Sequence, residues 1–161
     1  MICHECGNEH AVDELELAFV RPDDVAALSP EEIASRVQEN KDLSIIDGKR
    51  FFIRGLISLP VISREPPYSI GAWVEVEQTS FERVYELWSE PDQETEPAFP
   101  ARLANSIPTL PETLGIGASL LLTGPTTRPQ IIIDDISHPL GQQQREGINQ
   151  HVAHEYSALI A

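Results

Sequence analysis

Cys3-His4-Glu5-Cys6-Gly7-Asn8-Glu9-His10 is the stretch of this chain best equipped for chemistry. A Cys-x-x-Cys turn can aim two thiolates at one ion, and the glycine after it relieves the backbone where the turn is tight. His10 offers a third donor. Two sulfurs and an imidazole suit zinc in tetrahedral geometry. A closed site needs a fourth ligand, and the chain has no other Cys. His138 is the first choice, because it follows a strand, precedes Pro139 and could return to the N-terminus. His4, His151, His154 and nearby carboxylates stay open. The bland competitor is a pair of reduced, unmetallated thiols near a His by chance. A redox role lacks its context, since a thioredoxin-like Cys-x-x-Cys follows a strand and opens a helix. No strand precedes this one.

Three other groups invite a chemical reading. Arg54 lies inside an apolar strand, where an unpaired charge is expensive. A structural ion pair with a carboxylate such as Asp47 or Asp134 is the favoured expectation, and an anchor for an anionic ligand is the alternative. Trp73 could line a pocket beside it, although Trp in a strand is more often packing. Asp134 and Asp135 precede His138, and a His near a carboxylate can perform acid–base work. Adjacent strand residues face opposite ways, so only one of the two Asp can share a given cleft. Finally, His151, His154 and Glu155 fall at i, i+3 and i+4, a helical spacing. A solvated helix face explains them without a metal.

The elements that must position these groups follow from pattern. Ser29-Pro30-Glu31-Glu32 reads as a capped helix start with Pro in its first turn, running to about Asn40 with Ile33 and Val37 inward. Asp47-Gly48, between Leu43-Ser44-Ile45-Ile46 and Phe51-Phe52-Ile53, predicts a hairpin. Its second strand, residues 50–61, places Phe51, Ile53, Ile57 and Leu59 on one face, and Phe52, Arg54, Leu56 and Ser58 on the other. Pro60 marks an edge or an end. Residues 68–78 read as a strand. A helix then starts near Thr79, with Phe81, Val84, Tyr85 and Trp88 forming its apolar stripe. Residues 90–100 read as an exposed loop. Strands are expected at 102–107, 116–123 and 130–136, with a turn at Gly124-Pro125. Helical turns follow Pro139, including residues 152–160.

A chain of 161 residues suits a single domain, 1–161, with residues 1–12 as an integral Cys/His knuckle. Hairpins and helices mix without βαβ alternation. The expected class is α+β: a mainly antiparallel sheet, a few helices on one face or at its ends, and the N-terminal zinc-knuckle-like segment. The 26 acidic residues outnumber the 11 basic ones, for a net charge of −15. That balance argues against nucleic acid and against anionic membranes, and it suits a basic protein partner. No stretch approaches the ~18–20 apolar residues of a membrane span. The first residues lack the basic and apolar regions of a signal peptide, so a cytoplasmic location with reduced thiols is expected.

Several segments, in order along the chain, together resemble a bacterial family known only as domain of unknown function family 2199. They are Cys3-His4-Glu5-Cys6-Gly7 with His10; Asp47-Gly48 and Phe51-Phe52-Ile53-Arg54-Gly55; Leu59-Pro60-Val61; and Gly71-Ala72-Trp73-Val74. They continue with Pro111-Glu112-Thr113-Leu114-Gly115; Arg128-Pro129; and His138-Pro139-Leu140 with Arg145-Glu146-Gly147-Ile148. Residues 90–106 match less clearly, and Ser44 stands where the family often has Cys. The resemblance implies a bacterial cytoplasmic protein and brings no activity with it. Two functional expectations result. One is a zinc-stabilised interaction or binding module with Cys3, Cys6, His10 and His138 as ligands and an acidic surface for a basic partner. The other is an enzyme with a pocket around Arg54, Trp73, Asp134 and His138. The first is preferred, because nothing supplies a nucleophile signature or a Gly-rich phosphate loop.

Overall fold

A computed structural model describes residues 15–160. Residues 15–22 form an extended strap, followed by α1 (Asp23–Ala26) and α2 (Pro30–Arg36). The helix start at Ser29 is as its sequence predicts. The Ser29 hydroxyl accepts from the Glu32 N–H at 3.1 Å, and the Glu32 carboxylate accepts from the Ser29 N–H at 3.2 Å. The helix stops sooner than expected. Val37 turns extended, and β1 (Val37–Glu39) pairs antiparallel with β2 (Leu43–Ile46), Val37 opposite Ile46. Two turns of helix are marginal without packing, and a β-branched residue beside a free strand edge gains more from the ladder.

β2 and β3 (Arg50–Val61) form the predicted hairpin, with Asp47 and Gly48 both at positive φ. β4 (Arg64–Val76) returns along β3, and α3 (Gln78–Leu87) follows it. Phe81 and Val84 of the apolar stripe are buried, whereas Tyr85 is 67% exposed. Residues 90–100 are less open than expected. Gln93 is buried, donates to the carbonyls of Leu87 and Trp88 at the end of α3, and accepts from the Gly124 N–H. The next strands are shifted or shorter than their predicted ranges: β5 (Phe99–Leu103), β6 (Gly117–Leu121) and β7 (Gln130–Ile133). α4 (Pro139–Glu146) and α5 (Gln150–Ser157) complete the described elements.

β3 to β7 are a meander, each strand antiparallel to the next. An odd number of such strands leaves the first and last pointing the same way, and β7 does return parallel to β3, with Gln130 opposite Leu56. The sheet is mostly antiparallel, as expected, and it closes on itself. β3 divides one edge between two partners. Its first half pairs with β2, and from the Leu56 N–H, which donates to the Pro129 carbonyl at 2.9 Å, it turns to β7. Gly55 makes the closure possible: a Cβ there would stand 2.8 Å from Ile131 Cγ1 and 2.9 Å from the Pro129 carbonyl oxygen.

Alternation then sorts the side chains. Phe51, Ile53, Ile57, Ile70, Val74, Leu103, Leu120 and Ile131 fill the interior. Each such burial stabilises by about 1.5–3 kcal/mol. Outside the barrel wall, Ile46, Phe52 and Trp73 form a second cluster with Val25 of α1 and Ala104.

Candidate functional site

Arg54 and Trp73 stand opposite one another in the β3–β4 ladder, so both leave the outer face of the barrel. The strap runs parallel to β4 along its edge, with Ala18 bridged to Gly71. The Gly71 N–H donates to the Leu17 carbonyl, and the Phe19 N–H donates to the Gly71 carbonyl, at 2.9 and 2.8 Å. Trp73 is 1% exposed, and its indole N–H donates to the Phe19 carbonyl at 3.0 Å. It therefore belongs to the packing beside the strap, as the favoured reading of a strand Trp has it, and the alternative of a pocket wall falls.

Asn105 ties the same layer together, although no local motif marks it. Its Oδ1 accepts from the Trp73 N–H at 2.8 Å, and its Nδ2 donates to the Arg21 carbonyl and to Asp23 Oδ1, both at 3.0 Å. Asp23 Oδ2 accepts from the Ser106 N–H. Asn105 is fully buried. Asn105→Ala should leave the Trp73 N–H and the Arg21 carbonyl unpaired in a dry layer and lower stability by about 2 kcal/mol. Urea unfolding with an unchanged m-value would register it.

Arg54 does not find the carboxylate expected for it. Asp47 is gripped by Arg36, with Nη2 at 2.8 Å and Nε at 3.0 Å, and those hydrogen bonds hold its carboxyl below the usual range. Asp134 accepts from the Ser119 hydroxyl at 2.9 Å. The topology explains both misses. Asp47 lies at the hairpin turn at one end of β3, Asp134 lies just past the C-terminal end of β7, and Arg54 lies between. Among the described residues the Arg54 side chain makes one polar contact, from Nη1 to the Lys41 carbonyl at 3.4 Å, and its buried Nε has no partner. Burial holds its pKa below the ordinary guanidinium range. The charge of Arg128 adds to that effect, and Asp42 opposes it. Arg128 donates from Nε to Asp42 Oδ1 at 3.1 Å, and the Arg54 N–H donates to the Asp42 carbonyl at 2.8 Å. A cleft of about 170 Å³ borders this cluster, lined by Asp42, Arg128, Pro129, Thr126, Thr127 and Trp88 among others.

His138 lies elsewhere. It caps α4: Nδ1 accepts from the Leu140 N–H at 3.0 Å, while Nε2 contacts the carbonyls of Glu112 at 3.0 Å and Pro111 at 3.3 Å. Carbonyls only accept, so the proton sits on Nε2. Asp135 accepts from the hydroxyl and the N–H of Ser137, and these bonds hold its carboxyl below the usual range. Because Gln130 is opposite Leu56, Arg54 is level with the start of β7, whereas His138 lies beyond its end. Arg54, Trp73, Asp134 and His138 therefore do not converge on one pocket.

Cys3, Cys6, His4 and His10 lie outside the described residues. Among the described residues no three His, Cys, Asp or Glu side chains are placed to hold a metal. His151 Nε2 lies 3.3 Å from Glu155 Oε1 along α5. No helix among the described residues is long and apolar enough to cross a membrane.

No curated protein and no solved structure gives a match. One family model does, described as "Uncharacterized protein conserved in bacteria (DUF2199)", over residues 2–148. That span takes in the N-terminal Cys/His stretch, the whole barrel and the α4 cap, and the chain belongs to this bacterial family.

Proposed function

We propose that the protein is a zinc-stabilised binding domain rather than a catalyst, with Cys3, Cys6 and His10 holding one zinc ion. The observation that carries this reading is the donor set itself: Cys-x-x-Cys-Gly with a His four positions after the second Cys. The strap lends support, because residues 17–19 are hydrogen-bonded to β4 and so lead the chain from the trio onto the barrel wall. Metal binding would then contribute to folding free energy. The net charge of −15 favours a basic protein as partner in the cytoplasm.

Native mass spectrometry with and without chelator tests the metal. One zinc per chain is expected, and carefully prepared protein without any would remove the reading. The fourth ligand is a separate question. For His138 to serve, it would have to surrender its bond to the Leu140 N–H or to the Glu112 carbonyl. Asn is a good helix cap but a poor zinc ligand, so His138→Asn separates the two roles. We expect the variant to keep its zinc and its fold. Loss of zinc in folded H138N protein would return His138 to the coordination sphere. The enzyme reading has no comparable support, since its four residues are spread along the barrel.

A further inference from the structure

The start of the strap is fastened to one place on the protein. The Leu17 N–H donates to the Tyr68 hydroxyl at 2.8 Å, and the Ser157 hydroxyl donates to the Leu15 carbonyl at 2.6 Å. The two hydroxyls are themselves 2.8 Å apart. Ser157 spends its proton on Leu15, so Tyr68 donates to Ser157, and the four groups form one continuous run of hydrogen bonds. That run ties residues 15–17 to β4 and to the last turn of α5, so the chain before Leu15 departs from beside α5. A shallow recess of about 320 Å³ lies at this point, lined by Leu15, His154, Ser157, Ala158 and Ile160. Leu15 and Ile160 are exposed apolar side chains on its rim. His154, Ser157 and Ala158 stand at i, i+3 and i+4 and share a face, while Ala153 and Tyr156 turn into the core. Of the five lining side chains, His154 is the one suited to hold a metal.

We propose that residues 1–14 dock on this recess and that His154 is the fourth zinc ligand, closing the site begun by Cys3, Cys6 and His10. The inference rests on the zinc reading, and it adds the missing ligand and the surface that receives the segment. The length of chain allows it. His10 stands five positions before Leu15, a reach of about 17 Å at full extension, and Leu15 itself lines the recess that His154 borders. Ala11 and Val12, in that interval, are apolar residues suited to cover Leu15 and Ile160. Two thiolates and two neutral imidazoles cancel the double charge of the ion and match a closed tetrahedral site. The competing imidazoles are engaged elsewhere. His138 uses both ring nitrogens at the α4 cap, and His151 Nε2 faces Glu155 at 3.3 Å. Zinc at His154 would staple the N-terminal segment to α5.

The test loads the full-length protein with cobalt(II), which accepts the same ligands as zinc and absorbs visible light. The wild type should bind one ion per chain with the spectrum of a tetrahedral two-thiolate centre. His154→Cys should keep the ion and raise the cobalt–thiolate charge-transfer intensity by about half, because three thiolates replace two. A purely structural role for His154 would not produce that gain. His154→Ala should weaken zinc by about 100-fold in competition with a chelator, while His138→Asn and His151→Ala should stay within about threefold of the wild type. His154 is partly exposed, so neither change at this position opens the core. Two-thiolate intensity in H154C, or wild-type zinc affinity in H154A, overturns the proposal. Loss of the ion in Cys3→Ser would then show that the zinc reading itself survives. A wild type that takes up no metal removes both.

Discussion

Replacing Trp73 with alanine should cost the protein about 3–5 kcal/mol, the usual penalty for deleting a large buried ring, and lower Tm by about 10 °C or more. Trp73 is among the largest fully buried side chains, and it has two duties. Its ring fills the space between β4 and the outer cluster of Val25, Ile46, Phe52 and Ala104. Its indole N–H holds the Phe19 carbonyl, and thus the strap. Trp73→Phe should recover most of the packing and lose only the hydrogen bond, a deficit of about 1 kcal/mol. Urea unfolding measures both. The alanine variant should also lose protection of the strap amides in hydrogen exchange before it loses that of β3. A penalty below about 1 kcal/mol for W73A would mean that the ring is not a core element.

Gly141→Ala should destabilise by about 3 kcal/mol, even though alanine ordinarily improves a helix interior by about 1 kcal/mol over glycine. The sign is the informative part. A Cβ on Gly141 would lie 2.2 Å from the Asp135 carbonyl oxygen and 3.4 Å from Ile133 Cγ2. The first of these is backbone, so no rotamer relieves the clash. α4 would have to lift from the end of β7, which would draw Leu140 out of the core and His138 off its cap. Gly117→Ala is the control, because its Cβ would meet nothing closer than Asp134 Oδ2 at 4.0 Å, and a change within about 0.5 kcal/mol is expected. Thermal melts of the two variants, side by side, decide the matter.

What the sequence made legible was whatever could be read within a few residues. The Ser29 capping box, the Asp47-Gly48 turn and the alternation along residues 50–61 are local, and each is found in place. The conversion of Val37 from helix to strand was not legible, since it depends on the free edge of β2. Closure was not legible either. Nothing near Gly55 announces that Ile131 will press on it from the far end of the chain. The carboxylates of Asp47 and Asp134 were reasonable partners for Arg54 by residue type. Distance along β3 excludes both, and that distance exists only once the register is known. Asn105 was missed for the same reason: its partners at Trp73, Arg21 and Asp23 are 32 to 84 positions away. The family, by contrast, was recognisable from short matching segments spread over nearly the whole chain.

The shared edge of β3 has a consequence for how the protein is made. Leu56 and Gln130 are 74 positions apart, so during synthesis β3 waits for its second partner. At roughly 5–20 residues per second that interval is about 4–15 s. For that time the half of β3 beyond Leu56 has unpaired N–H and C=O groups and an apolar inner face, a template on which a neighbouring nascent chain can add a strand. Crowded ribosomes on one message would therefore be the setting in which this protein is most exposed to aggregation, and the yield of native protein should rise when translation is diluted or a chaperone shields that edge.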